Sequence, residues 1–209
     1  MRNIFLVFRK KVELYGIKNA IGLGLKFVFR KLFCISWNTY YLMSIKSRNK
    51  VIVLPERVEV RLLKLSDFAR DIDASFFTKE KKRIYEERFQ DKTMKGFGVF
   101  EDGKLACFAW LSLKRMEITT TFNFDLPYSS ALLFDDYTQF GFRGKGYHHL
   151  INDFRIKYCY QNNIKNIYVF VVRHNVPALK TQIKSGLEIK KKFTLWNIGG
   201  KEICSKKII

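Results

Sequence analysis

The sequence predicts a mixed α/β fold, with a central mixed sheet of six to seven strands that is flanked by helices and preceded by a basic helical extension. Two strand-like runs meet at Glu101-Asp102-Gly103-Lys104, and Asp-Gly between such runs is a strong signal for an antiparallel hairpin. From Ala131 onward, strand-like and helix-like runs alternate, which is typical of βαβ units with parallel strands. A hairpin followed by βαβ units predicts a mixed sheet with helices on both faces.

The individual elements follow from hydrophobic periodicity and from the residues that start and end helices. The predicted strands cover Val58–Leu63, Gly96–Phe100, Leu105–Leu113, Ala131–Phe140, Asn166–Val172, Glu188–Leu195 and Glu202–Ile208. The predicted helices cover Ser66–Phe77, Lys79–Gln90, Gly146–Asn162 and the run that begins after Asn175 and ends at Gly186.

The N-terminal quarter differs from the rest in charge. The first 50 residues hold eleven basic residues and a single acidic one, Glu13. From Asn19 to Phe33, apolar residues recur at helical spacing with basic residues between them, which predicts a basic amphipathic helix. We therefore expect a basic helical extension, residues 1–55, before the main domain, residues 56–209. Two roles stay open: the helix packs on the domain or on a second subunit of a homodimer, or residues 1–50 bind an anionic membrane surface.

Composition bounds the partners of the chain. Its 209 residues are 47% apolar, enough for one globular domain with an appended segment. Lys and Arg number 39 and Asp and Glu 19, which gives a net charge of +20. Such a charge attracts phosphates, anionic lipids, nucleic acids and acidic carrier proteins without selecting among them.

Metal, disulfide and membrane-spanning features are not predicted. The four cysteines form no CxxC pair and there are three histidines, so we expect no metal centre and no disulfide framework. Isolated cysteines fit a reducing cytosol. No uncharged apolar run reaches about 18 residues, and no small-residue cleavage site follows the basic N-terminus. We expect a cytoplasmic protein, with the inner face of the membrane as a site of association.

A basic, glycine-punctuated loop leads from a predicted strand into a predicted helix in the stretch TQFGFRGKGYHHLINDF, residues 138–154. Such a junction can bind a phosphate, because a helix N-terminus offers unpaired N–H groups and partial positive charge. A Walker A loop is excluded, since Gln139 stands at its first glycine and Gly146 follows Lys145. A dinucleotide-binding fingerprint is excluded because His149 stands at its third glycine. A plain basic turn is the remaining alternative.

Three segments resemble the GNAT acyltransferase superfamily at matching mutual spacing. Arg143-Gly144-Lys145-Gly146 resembles the core of its acyl-CoA loop, [QR]-x-x-G-x-[GA]. Asn175-Val176-Pro177-Ala178 before Gly186-Leu187, and the turn Asp102-Gly103-Lys104, resemble two further segments of the family. The resemblance runs from about Val58 to Leu195. One position departs from the pattern, because His148 stands where the family has Gly or Ala.

The resemblance implies that acetyl-CoA or another acyl-CoA binds as co-substrate where the two strands around this loop diverge. Glycines let the main chain approach a diphosphate closely, and the helix that starts near Gly146 supplies its positive end. Asn175 has the alternative role of a helix cap. The residues expected to contact the donor are Tyr137, Thr138, Gln139, Arg143, Gly144, Lys145, Gly146, Tyr147, His148 and Asn175.

The implied reaction is direct attack of an amine on the thioester, for which a carboxylate or histidine removes a proton. Asp135 and Asp136 lie on the strand before the loop, and we favour Asp136 as the base because it is in phase with Thr138. The alternative for both carboxylates is a structural role or binding of the acceptor amine. Weaker candidates for the base are Glu117, His148 and His174.

Gln182 stands where many relatives have a tyrosine that reprotonates the leaving thiolate. Glutamine cannot supply that proton, although its amide can donate a hydrogen bond to the sulfur. Either water or another residue must then act as the acid.

The acceptor pocket is expected to contain the aromatic residues Phe77, Tyr85 and Trp110, for which ordinary core packing is the alternative. The predicted activity is an N-acyltransferase, in the first place an N-acetyltransferase, acting on a small-molecule primary amine such as an amino sugar or nucleotide-linked sugar. One alternative takes the acyl group from an acyl-carrier protein. The other is a non-catalytic binder of nucleic acid or membrane on a degenerate scaffold. Nucleic acid is the less favoured partner, because no recognised binding motif occurs.

Overall fold

The structure is a computed structural model that describes residue 12 and residues 17–68, 76–119 and 122–205, without the side chains of Lys18, Asn19 and Glu117. These residues fall into two compact units. Within the described ranges, the larger unit comprises residues 44–169 and 181–188. The smaller unit comprises residues 17–43, 170–180 and 189–205.

The described residues form four helices and ten strands. The helices are α1 (Ile17–Phe33), α2 (Lys79–Gln90), α3 (Tyr147–Gln161) and α4 (Val176–Lys184). The strands are β1 (Ile35–Lys46), β2 (Val58–Leu62), β3 (Met94–Glu101), β4 (Lys104–Ser112), β5 (Arg115–Glu117), β6 (Asn123–Asp125), β7 (Ser130–Thr138), β8 (Asn166–Val172), β9 (Glu188–Ile198) and β10 (Lys201–Cys204).

The larger unit contains a mixed sheet with the strand order β8, β7, β4, β3, β2. Strands β7 and β8 are parallel, whereas the other neighbours in this order are antiparallel. The β3–β4 hairpin turns at Asp102 and Gly103, whose φ angles of 49° and 75° match the left-handed turn that the Asp-Gly signal predicts. The predicted class, a mixed α/β sheet flanked by helices, is confirmed.

An aromatic cluster forms the core beside α2. This helix begins after Thr78, whose Oγ1 accepts a hydrogen bond from Lys81 N at 3.3 Å and so caps the first turn. Tyr85 then meets Trp110 of β4 with ring centroids 5.5 Å apart. Both side chains are fully buried. The other buried members of the cluster are Leu63, Phe68, Phe100, Leu105 and Phe108.

The smaller unit holds β10, β9, the first residues of β1 and the last residues of β8, in this order. Strands β9 and β10 form an antiparallel hairpin that turns at Gly199 and Gly200. The rings of Tyr40 on β1 and Phe193 on β9 stack with centroids 5.5 Å apart.

Helix α1 also belongs to the smaller unit, and most of its large apolar side chains are exposed. Phe29 meets Trp37 edge-on at 5.8 Å, and the Lys26 ammonium lies 5.5 Å from the same indole. No described helix is long and apolar enough to cross a bilayer. The exposed apolar residues of α1 are Ile17, Ile21, Leu25, Phe27, Val28, Phe29, Leu32 and Phe33.

The predicted helical extension, residues 1–55, contains a strand that was not predicted. Residues 19–33 lie in α1 as predicted, but Ile35–Lys46 form the strand β1. The β1 sequence, ISWNTYYLMSIK, is rich in β-branched and aromatic residues, which favour a half-buried strand. The predicted division of the chain at residue 55 stays a prediction.

The structure describes only the two ends of the predicted helix at Ser66–Phe77, so the helix itself stays a prediction. Only a single 3-10 turn forms at Leu65–Phe68, and residues 69–75 lie outside the described residues. Asp67 closes this turn locally, because its Oδ2 accepts a hydrogen bond from Lys64 N at 2.7 Å. An aspartate that bonds to nearby backbone offers the chain an alternative to a helix.

Candidate active site

The described pairing of β7 with β8 covers only the first part of β7. Their parallel pairing starts at Ser130 and Asn166 and ends at Leu133 and Val169, although β7 continues to Thr138. The second half of β7 therefore extends beyond the described pairing with β8.

A β-bulge lies just after the point where this pairing ends. The register between β4 and β7 shifts between Phe108 and Trp110, so that Ala109 alone faces both Asp135 and Asp136. Asp135 has a φ of 50°, in the left-handed region that costs a non-glycine residue free energy. A bulge redirects neighbouring side chains. As a result, the two adjacent carboxylates contact different helices.

The loop after β7 presents main-chain N–H groups at the start of α3. Gly144 and Gly146 have φ angles of 83° and 82°, which glycine adopts without steric cost. The N–H groups of residues 144–148 donate to no main-chain carbonyl of the described residues, whereas those of His149 and Leu150 both donate to Gly146 O. Unbonded N–H groups at a helix N-terminus form a site that suits a phosphate.

Glu101 at the end of β3 holds this loop from one side. Its two carboxylate oxygens accept hydrogen bonds from Lys145 Nζ at 2.8 and 2.7 Å. Burial and a hydrogen bond to Glu101 raise the pKa of Tyr147 to about 12. The Lys145 charge is thus already engaged. The other loop cation, Arg143, donates from Nε to Thr138 O at 3.2 Å.

Asp136 is bound by two side chains of α3, Arg155 and His148. Arg155 Nη1 lies 2.7 Å from Oδ1, Arg155 Nη2 donates to Oδ2 at 3.0 Å, and His148 Nε2 lies 2.7 Å from Oδ2. Burial disfavours the charged carboxyl, but the charges of Arg155 and His148 outweigh it and lower the pKa of Asp136 to about 2. A carboxylate this acidic accepts hydrogen bonds, so His148 Nε2 carries the hydrogen.

A buried polar network continues from this ion pair toward α4. Arg155 Nη2 also donates to Asn152 Oδ1, and Asn152 Nδ2 donates to Gln182 Oε1 at 3.1 Å and to Ser185 Oγ at 3.3 Å. His149 Nδ1 lies 3.0 Å from the same serine oxygen. Gln182 is therefore part of the interior, and the predicted contact of its amide with a leaving sulfur is not supported by this arrangement.

Asp135, the other carboxylate of the bulge, binds Arg88 of α2. Arg88 Nη1 lies 2.5 Å from Asp135 Oδ2. The guanidinium carbon of Arg88 lies 5.1 Å from the ring centroid of Tyr85, 5.2 Å from that of Trp110 and 4.8 Å from that of Phe134. This arginine is enclosed by aromatic rings and paired with a carboxylate that is partly open to solvent.

The remaining strand residues predicted to contact a donor turn their side chains into the protein. The Tyr137 ring stacks on Phe76 with centroids 3.6 Å apart. Thr138 Oγ1 donates to Cys107 Sγ at 3.2 Å, and the buried Gln139 side chain donates to a main-chain carbonyl of β4. The side chains at these three positions therefore have partners within the protein.

Other predicted residues lie elsewhere in the structure. Asn175 belongs to the smaller unit, where its Oδ1 accepts a hydrogen bond from Ala178 N at 3.3 Å, which is the predicted capping role. His174 belongs to the smaller unit as well. Phe77 stacks on Phe68 at 5.4 Å within the aromatic cluster that also contains Tyr85 and Trp110. The Glu117 side chain lies outside the described residues.

Sequence reasoning missed the three partners that organise this region: Arg155, Arg88 and Glu101. A signal existed for Arg155, because it lies four residues after Ile151 and thus on the apolar face predicted for its helix. A charged residue on such a face must find a buried partner. Arg88 and Glu101 carry no comparable signal in the sequence.

The chain is similar in fold to solved acetyltransferase structures. A GCN5-related N-acetyltransferase from Sphaerobacter thermophilus matches with a TM-score of 0.54 at 11% identity, over 82% of this chain and 53% of that one. A GNAT-family acetyltransferase from Colwellia psychrerythraea matches with a TM-score of 0.53 at 15% identity, over 76% of this chain and 56% of that one. The chain therefore spans just over half the length of these two proteins.

A third solved structure, AAC(6')-Iy in complex with the bisubstrate analogue CoA-S-monomethyl-acetylneamine, matches with a TM-score of 0.50. The identity is 17%, and the match covers 64% of this chain and 92% of that one. No protein-family model and no curated protein matches the chain. At identities this low, the structural matches establish the shared fold only. Activity and substrate have to be argued from the chemistry of this chain's own residues.

Proposed function

We propose that this chain, which has the fold of the GCN5-related N-acetyltransferases, transfers an acetyl group from acetyl-CoA to a primary amine. The single observation that best supports this is that the described pairing of β7 with β8 ends at Leu133, while β7 runs on to Thr138 and into the loop that contains Gly144 and Gly146. An extended thioester arm beside β7, ending in a diphosphate at the start of a helix, fits this combination.

The donor diphosphate accepts hydrogen bonds from the N–H groups of residues 144–148, and the positive end of α3 favours its charge. Arg143 is exposed and, unlike Lys145, is not paired with Glu101, so it is available to the phosphates. The His148 side chain points to Asp136, which leaves its main-chain N–H available despite the departure from Gly or Ala at this position. The residues present therefore fit a CoA-type donor.

Asp135 is a better candidate than Asp136 for the group that handles the acceptor's proton. The low pKa of Asp136 and its three contacts with Arg155 and His148 make it a weak base. Asp135 is more exposed and lies at the bulge, beyond the described pairing of β7 with β8. It binds the acceptor ammonium and receives one proton through water. The amine nitrogen then bonds to the thioester carbon, the C–S bond breaks, the nitrogen releases its second proton to solvent, and solvent protonates the thiolate.

Calorimetry and a thiol-release assay with a panel of primary amines test this proposal. Acetyl-CoA is expected to bind at micromolar concentration, and free thiol is expected to appear only when an amine is present. Asp135→Asn is expected to lower kcat by about 10²-fold or more, whereas Asp125→Asn, at an exposed position on β6, leaves it unchanged. Absence of acetyl-CoA binding contradicts the proposal. Preference for an acyl-carrier protein or a long-chain acyl-CoA supports the alternative donor, which the net charge of +20 suits.

We further propose that α1 holds the enzyme on an anionic membrane surface, at the inner face of the cytoplasmic membrane. Its exposed apolar residues Leu25, Val28 and Leu32 are accompanied by Lys26, Arg30 and Lys31. A helix that combines exposed apolar residues with basic ones binds at a lipid interface through both apolar burial and attraction to anionic headgroups. The alternative occupant is a second copy of the chain.

Vesicle sedimentation distinguishes these occupants. Changing Lys26, Arg30 and Lys31 to Gln is expected to abolish pelleting with phosphatidylserine vesicles. Changing three exposed lysines of the larger unit, Lys79, Lys82 and Lys104, to Gln removes the same charge and is expected to preserve it. A dimer in light scattering that α1 substitutions dissociate, without any pelleting, contradicts the membrane proposal and supports a homodimer.

A further inference from the structure

One face of α2 carries two cations toward the bulge of β7. Lys81, Tyr85 and Arg88 are spaced at i, i+4 and i+7, so they lie on the same side of the helix. The Lys81 ammonium lies 3.0 Å from the centroid of the Phe76 ring, and Arg88 pairs with Asp135. Two positive charges thus meet one negative charge in this cluster.

The positive charge is not fully compensated by the described residues. Burial and the nearby Arg88 lower the pKa of Lys81, although the charge of Asp135 opposes them. Arg88 has Asp135 as its ion-pair partner, and the described residues give Lys81 no ion pair of its own within the cluster. Partly buried cations are unfavourable unless an anion is close.

Two buried hydrogen-bond donors lie beside Arg88, and both side chains are 0% exposed. Trp110 Nε1 has no hydrogen-bond partner in the described part of the chain, and Tyr85 Oη has only Asp135, which Arg88 already engages, close to it. Their rings lie 5.1 and 5.2 Å from the Arg88 guanidinium carbon. A buried donor without an acceptor is unfavourable, because it loses its hydrogen bonds to water. The cluster therefore has four donor groups and one carboxylate.

We propose that the acceptor amine belongs to a molecule that also carries a carboxylate or a phosphate, and that Arg88 and Lys81 bind this anionic group. The inference rests on the proposed acyl transfer and narrows its substrate class. Asp135 faces the ammonium end of such a molecule and the two cations face its anionic end. An acceptor with an ammonium alone meets net positive charge in this cluster and binds weakly.

The ion pair of Arg88 and Asp135 is accessible enough to solvent for this role. The Arg88 and Asp135 side chains are 18% and 30% exposed, so a ligand reaches them from solvent. The aromatic rings around Arg88 shield part of the guanidinium from water, which strengthens its interaction with an anion. Arg88 also keeps its planar fork oriented, because Tyr85, Trp110 and Phe134 enclose it.

Anion binding is measured first, without any acyl transfer. Inorganic phosphate and sodium acetate are titrated into the ¹⁵N-labelled full chain, and the indole N–H signal of Trp110, assigned through Trp110→Phe, is followed. We expect this signal to shift in the wild type. Lys81→Gln and Arg88→Lys are expected to raise the apparent Kd about tenfold or more. The matched control is Lys82→Gln, one position along α2, with its side chain 60% exposed.

Matched acceptors then test the substrate class in the presence of acetyl-CoA. Glucosamine 6-phosphate is compared with glucosamine, and alanine with alaninamide. The anionic member of a pair is expected to have the higher kcat/KM by about tenfold, and Lys81→Gln is expected to remove this preference. The pairs also distinguish a phosphate from a carboxylate as the group that is bound.

Each outcome has one meaning. An unmoved Trp110 signal, or an equal shift in Lys81→Gln, overturns the anion site. A preference for the neutral member of both pairs overturns the inference while acyl transfer stands. If the anions shift Trp110 but no amine accepts an acetyl group although acetyl-CoA binds, the anion site stands and the proposed function fails.

Discussion

Asp136 of β7 and Arg155 of α3 form an ion pair in which the arginine side chain is 0% exposed, with Arg155 Nη1 2.7 Å from Asp136 Oδ1. Arg155 Nη1 also donates to Trp110 O on β4 at 2.7 Å. One guanidinium thus joins α3 to two strands. Because the loop of residues 143–146 directly precedes α3, this contact also positions the loop.

Asp136→Asn is expected to destabilise the fold by about 3–5 kcal/mol, because it leaves Arg155 buried without a counter-charge. Urea unfolding followed by tryptophan fluorescence measures the change. Asp135→Asn, in a pair that is more exposed, is the control and is expected to cost about 1 kcal/mol or less. Equal losses in the two variants are inconsistent with a special role for the buried pair.

Asp136 is also expected to make stability fall in acid. Its folded pKa of about 2 lies below the value of about 3.9 of an unfolded aspartate, so its contribution is complete above the unfolded value and is lost as the pH falls through the folded one. The shift corresponds to about 2 kcal/mol. Unfolding free energies between pH 6 and pH 2 are compared for the wild type and Asp136→Asn. A constant difference between the two across this range contradicts the assignment.

Replacing Gly144 or Gly146 by alanine is expected to weaken acetyl-CoA binding, whereas replacing Gly141 is not. Gly144→Ala and Gly146→Ala place a Cβ on a backbone with positive φ, which costs about 1 kcal/mol each and shifts the N–H groups that the donor needs. We expect acetyl-CoA binding to weaken about tenfold by calorimetry. Gly141→Ala is the control, since its φ is not in the left-handed region and its Cβ meets nothing within 4 Å. A similar loss in all three variants argues against a glycine-dependent phosphate loop.

Removing the charge of Glu101 is expected to strengthen donor binding. Glu101→Gln releases Lys145 from its carboxylate and removes a negative charge beside the loop, so both changes favour a diphosphate. The gain is expected to be a few-fold at low salt and to shrink as ionic strength rises. Calorimetry at two salt concentrations measures it. Weaker binding in Glu101→Gln indicates instead that Glu101 is needed to hold the loop in place.

Local patterns were sufficient to predict much of the fold. The hairpin at Asp102-Gly103, the helix that starts near Gly146 and the helix that Asn175 caps each depend on residues close in sequence, and the structure contains all three. The strand β1 was not predicted, because residues 1–55 were assigned to one basic extension from their charge. The β-branched and aromatic residues of Ile35–Lys46, which favour a strand, were not considered separately. At the start of the predicted helix Ser66–Phe77 the structure has a 3-10 turn that Asp67 closes, and residues 69–75 of that prediction lie outside the described residues.

The sequence by itself determined that two carboxylates lie on the strand before a glycine loop, and alternation along a strand indicated that their side chains diverge. Only the tertiary structure decided that Asp136 meets Arg155, 19 positions away, while Asp135 meets Arg88, 47 positions away. Which charge lies near which carboxylate depends on packing between elements distant in the chain, and that packing lowers the pKa of Asp136 to about 2. The sequence favours Asp136 as the base, whereas the contacts in the structure lead us to propose Asp135. The two aspartates themselves are evident from the sequence.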